Sequence, residues 1–168
     1  GKPMKAGTCP VITREVGQIV VDYGTGCVPE SGLVPGLVAG TITLDRDALA
    51  RTVIGSFDAL TYDGQTLDGT VMASYTLLGG TSGVDLTQEI DLTLTAGAAT
   101  IHVTSDAQVG VRATHVTLDG DLTIDDGTTD RALGADGIEM AYADLVAADC
   151  PLPRAGTLAV TWDQSAVT

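Results

Sequence analysis

The stretch Val84 to Leu94 reads V-D-L-T-Q-E-I-D-L-T-L, and it leaves the chain little choice of structure. Val84, Leu86, Ile90, Leu92 and Leu94 share one parity, interrupted only by Gln88. Asp85, Thr87, Glu89, Asp91 and Thr93 share the other. A period of two over that length is a β-strand with one wall apolar and the other in water. The pattern recurs. In Gln65 to Leu77 the apolar parity holds Leu67, Val71, Ala73, Tyr75 and Leu77, opposite Thr66, Asp68, Thr70, Ser74 and Thr76 with Met72 among them. Strands are also expected at 11–16 and 18–23, joined by a turn near Gly17, and at 37–45, 53–62, 99–103, 109–118, 122–124 and 156–163. These runs are rich in Val, Ile, Thr and aromatic residues.

The punctuation agrees. The sequence has no Asn, and Asp-Gly takes the turn role at 63–64, 68–69, 119–120, 126–127 and 136–137, since both residues tolerate left-handed backbone. The string T-L-D-G occurs twice, at 66–69 and 117–120, and reads as a hairpin turn. A slip of parity between His115 and Val116 suggests a bulge, and 125–137 reads as an acidic loop. Asp47 to Arg51 suits one helical turn, and 138–148 fits a helix and a strand equally well. About eleven or twelve strands with short connections make an antiparallel meander. The fold class is therefore all-β: a sandwich, an open curved sheet or a barrel, with at most one short helix. Residues 1–8 form an N-terminal arm and 9–168 one β-domain, a length that can bury a core.

Charge narrows the partners. The formal net charge is −14, from 22 acids against 8 bases, so phosphate backbones are repelled and nucleic acid is not an expected partner. No apolar run approaches a transmembrane length of about 18 residues. Cys9, Cys27 and Cys150 form no C-x-x-C pair and no cluster with histidine, so zinc is not expected. One disulfide is, and with it export. Folding 9–16 against 18–27 brings Cys9 to the Gly24-Thr25-Gly26-Cys27 end, which favours Cys9–Cys27; Cys150 is the alternative partner. A chain beginning at Gly1 without a signal peptide is read as a mature or trimmed product.

Val21-Asp22-Tyr23-Gly24-Thr25-Gly26-Cys27, preceded by Cys9-Pro-Val-Ile-Thr, resembles a group of bacterial secreted lipoproteins of Bacteroidetes and myxobacterial type, of unknown function. In that group D-[YF]-G-x-G-C is followed by a loop and a G-x-I-x-V strand, the place taken here by Gly40-Thr-Ile-Thr-Leu. Cys150-Pro-Leu-Pro-Arg-Ala-Gly156 is similar to a later C-x-x-P-x-x-G strand. The resemblance implies export, an all-β fold and attachment at an outer membrane or cell surface. It carries no catalytic residues.

Residues able to do chemistry are few. His102 and His115 belong to no hydrolase or metalloprotease motif. The run Gly79-Gly80-Thr81-Ser82-Gly83 lacks the lysine and the helix of a phosphate loop. Calcium is the one cofactor to consider, because Asp119, Asp121, Asp125, Asp126 and Asp130 crowd one hairpin and calcium takes oxygen ligands from loops. Otherwise no cofactor is expected. Tyr23, Tyr75, Tyr142 and Trp162 fall on apolar parity and read as core rather than as a glycan platform.

A meander that does not close has two edges, which are usually blunted by Lys, Pro or bulges. No Lys follows position 5. The expectation is a non-enzymatic structural or adhesive surface subunit, extracellular or at the cell surface, that self-associates through strand edges into filaments or oligomers, using the N-terminal arm or the last strand. The alternative is a monomeric extracellular module holding a lipid, a glycan or calcium.

Overall fold

The computed structural model describes residues 9–29, 36–79, 83–141 and 154–164. Ten strands appear among them, and none of these residues is helical. They are β1 (Val11–Glu15), β2 (Gln18–Asp22), β3 (Val38–Asp47), β4 (Thr52–Tyr62), β5 (Gln65–Leu77), β6 (Val84–Ala96), β7 (Ala99–Val111), β8 (His115–Asp125), β9 (Thr129–Ala141) and β10 (Ala155–Gln164). They lie in one antiparallel sheet in the order of the sequence, and the sheet is not closed. The expected meander is therefore an open sheet rather than a barrel. Contacts divide it into two compact units, one within Gly1–Met72 and Asp91–Ile101, the other within Ala73–Ile90 and His102–Thr168.

In the first unit the β1–β2 hairpin turns at Val16-Gly17, where Gly17 has φ +81° and its carbonyl accepts from the Arg46 amide at 2.6 Å. Register sets Ile12, Val21, Ile42 and Phe57 in one row across β1 to β4, and Thr13, Val20, Thr43 and Ser56 in a row on the opposite face. A disulfide joins Cys9 to Cys27, with Cα atoms 6.0 Å apart. Cys27 is held in place by a two-bond bridge to Val38, at 2.8 and 2.9 Å. The loop before it turns at Gly24 and Gly26, whose amides donate to Asp22 Oδ1 and to the Tyr23 carbonyl. After β3, residues 48–51 make a turn rather than a helical one; Asp47 Oδ1 accepts from the amides of Leu49 and Ala50 at 2.8 and 2.9 Å.

In the second unit Leu122, Leu133 and Val160 form an apolar row across β8 to β10, continued by Ser105 on β7, and Thr104, Thr123, Ala132 and Thr161 form a row on the other face. Here the sequence reading is corrected three times. Residues 109–118 are not one strand, because β7 runs to Val111 and β8 starts at His115; the slip of parity there marks the turn at 112–114, not a bulge. Residues 125–137 are not a loop, since only 126–128 turn and β9 follows. Residues 138–141 extend β9, so the helix is excluded for them; 142–148 lie outside the described residues.

The Asp-Gly pairs divide in the same way. Asp63-Gly64 and Asp126-Gly127 turn the chain, but Asp68-Gly69, Asp119-Gly120 and Asp136-Gly137 lie within strands. The last three build bulges. In β9, Asp136 and Gly137 together oppose the single residue Asp119 of β8, and Gly137 and Ile138 oppose Gly156 of β10. In β4, Ala59 and Leu60 oppose Gly40 of β3. Ala59 and Gly137 have positive φ, 46° and 59°, which turns their amides out of the ladder. Each amide is taken by the aspartate of a T-L-D-G string: Ala59 donates to Asp68 Oδ1 at 2.7 Å and Gly137 to Asp119 Oδ1 at 2.6 Å. The glycine that follows serves the other neighbour. At Gly69 and Gly120 (φ +122° and +144°) a Cβ would collide with the backbone of Asp91 and of Asp106-Ala107, respectively.

The expected core is thin. Val38, Ile138 and Ala141 are the only buried hydrophobic residues among those described. Tyr75 and Leu77, read above as core-facing, are 42% and 59% exposed.

Replacing Gly120 by Ala combines backbone strain with a collision against a neighbouring strand, and is expected to lower unfolding free energy by about 2–3 kcal/mol in urea denaturation. Opening the disulfide by Cys9→Ala/Cys27→Ala frees a loop of 18-residue separation, with an expected loss of about 3 kcal/mol by the same measurement.

Candidate functional site

The five candidate calcium ligands do not converge. Asp119 is committed to the β9 bulge amide of Gly137. Asp121 stands in register with Asp106 of β7 and Gly134 of β9, in mid-strand. Asp125 and Asp130 are directly paired across β8 and β9, yet Asp125 Oδ1 accepts from the Gly127 amide at 2.6 Å. Asp126 closes the turn: Oδ1 accepts from the amides of Thr128 and Thr129 and from the Thr128 hydroxyl at 2.6 Å, and Oδ2 pairs with Arg131 at 3.4 Å. The hydroxyl and amide of Thr128, then the Thr129 amide and the Arg131 charge, hold this half-exposed carboxyl below the usual aspartate range. Among the described residues no group of three His, Cys, Asp or Glu is placed to hold a metal ion.

The crowding of aspartates in the sequence thus has a local cause. Asp125 and Asp126 satisfy turn amides, and Asp119 satisfies a bulge amide. In the strand register, positions 125, 130 and 163 lie side by side across β8, β9 and β10, with His102 of β7 opposite Asp125. His115, on the first residue of β8, has Nδ1 3.1 Å from the Thr114 hydroxyl. Arg112, just after β7, bridges back to β6, pairing with Asp85 at 2.7 Å and donating to the Val84 carbonyl at 3.2 Å. Cys150 and Tyr142 lie outside the described residues.

The edges of the sheet are better defined than any pocket. β1 is five residues long, follows Pro10 and carries Arg14 and Glu15. β10 is ten residues long and contains no Lys, Arg or Pro. Its outer side has no strand partner among the described residues. Leu158 and Val160 on it are 61% and 68% exposed. The sequence reading named the N-terminal arm and the last strand as candidate edges; residues 1–8 lie outside the described residues, and the last strand is β10, with the uncharged run T-L-A-V-T at 157–161.

No family model matches the chain, and neither a curated protein nor a solved structure matches it.

Because the folded Asp126 carboxyl titrates low, the stability it contributes is complete above the unfolded aspartate pKa and is lost as pH falls through the folded one. In a carboxyl NMR titration Asp126 is expected to titrate below the ordinary aspartate value, and Thr128→Ala to move it upward.

Proposed function

We propose that the chain is a secreted, non-enzymatic β-domain, a structural or adhesive subunit at a cell surface that works by pairing strand edges with other subunits. The observation that carries this reading is the long β10 at the end of an open sheet, free of Lys, Arg and Pro, uncharged at 157–161 and without a strand partner on its outer side among the described residues. A strand edge is a row of backbone donors and acceptors, and an unblunted one binds another strand. The thin core adds to the argument. A domain with three buried hydrophobic residues among those described gains more from an added strand than one whose interior is already packed. The disulfide fits an oxidising compartment, and the acidic face keeps subunits soluble where they do not meet. The likeness of the D-Y-G-T-G-C segment to exported lipoproteins points the same way.

Light scattering across a concentration series, with electron microscopy of the same sample, tests it. The expected mass is a multiple of 17.1 kDa that rises with concentration. A mass that stays at 17.1 kDa up to millimolar protein would overturn the proposal.

A further inference from the structure

We infer that β10 pairs antiparallel with β10 of a second copy about a two-fold axis at Ala159, so that assembly stops at a dimer. This rests on the edge-pairing reading above and names its partner and register.

The two units place the same device in opposite chain order. A strand with Ala-Gly-Thr in its first four residues, β3 at 39–41 and β10 at 155–157, flanks a bulged strand, β4 or β9. The bulged strand flanks in turn a T-L-D-G strand, β5 or β8. In the first unit the outer edge of the Ala-Gly-Thr strand is occupied: β2 pairs antiparallel with Thr41–Asp45, setting Val21 against Ile42 and Ile19 against Leu44. The equivalent edge of β10, at 157–161, has no partner among the described residues. A strand-accepting edge used in one unit is therefore open in the other.

The sequence of that edge identifies its occupant. Thr157-Leu158-Ala159-Val160-Thr161 reads nearly the same in both directions. Antiparallel pairing centred on Ala159 sets Leu158 against Val160 on the apolar face and Thr157 against Thr161 on the other. Aliphatic pairs and Thr–Thr pairs are both favourable across strands. A shift of one residue would set threonine against aliphatic side chains and reverse the faces. Beyond the centre, Asp163 comes opposite Ala155 and Arg154 opposite Gln164, so in a chain of net charge −14 no carboxylate of β10 meets another. The five central pairs equal in number those that hold β1 to β2 and β2 to β3. The contact is isologous and closes on itself. At the other end of the sheet, β1 is short and charged and follows a proline, which blunts it for further growth.

Cross-linking tests the register in a Cys150→Ala background. With a short bis-maleimide, Ala159→Cys is expected to give a covalent dimer of about twice 17.1 kDa. A mixture of Thr157→Cys and Thr161→Cys chains is expected to cross-link, and Thr123→Cys, in the interior strand β8, is not. Thr157→Lys/Thr161→Lys, its fold checked by circular dichroism, is expected to halve the mass seen by light scattering. An oligomer that fails to cross-link through Ala159→Cys and is indifferent to the lysine pair would overturn the β10 pairing and leave edge assembly standing. A monomer at every concentration would overturn both, and a mass beyond two copies would overturn the closure.

Discussion

The bulge amide is the constraint on which the sheet depends. An extra residue in an antiparallel strand turns one N–H out of the ladder and exchanges the faces of every side chain beyond it. β4 and β9 each carry such a residue, Ala59 and Gly137. The turned amide requires an acceptor from the next strand, and Asp68 and Asp119 supply it. The bulge carbonyls need room on the other side, and Gly40 and Gly156 provide it: a Cβ there would meet the carbonyls of Ala59 and Gly137. Four strands in each unit are thus fixed by one acid, one bulge and two glycines. Beyond the bulge, the exchange of faces lets Leu133 and Ile138, five apart, both join apolar rows, one with Leu122 and the other with Leu118.

This explains which elements were legible in the sequence. β5 and β6 were plain because each keeps a long alternation and ends at visible glycines. β7 to β9 were not, because Asp-Gly serves a hairpin and a bulge for the same reason, tolerance of left-handed backbone. What separates Asp63-Gly64, a turn, from Asp119-Gly120, a bulge partner, is an amide 18 residues further along the chain, at Gly137, and no local pattern reveals that. The Leu133–Ile138 interval was the one available sign, since a strand that keeps its face across an odd interval must contain a bulge. The separate tasks of the aspartates offered as calcium ligands were hidden by the same limit. Sequence proximity brought together carboxylates that the fold sends to a bulge, a turn and a strand face.

The thin core gives the edge its importance. A sheet with three buried hydrophobic residues among those described gains little from burial, and backbone pairing must carry more of its order. An interior strand has partners on both sides, whereas β10 has one on one side only among the described residues. The acidic face opposes association through itself, because Asp125 and Asp130 already face each other across the ladder and a second such surface would add repulsion. The edge carries no such penalty. At 157–161 it has no charge, its side chains sort onto the two faces as those of β3 do where β3 accepts β2, and its order of residues is nearly unchanged on reversal. A second copy brings the complementary strand in the same register at no cost in specificity, since the only sequence it must match is its own.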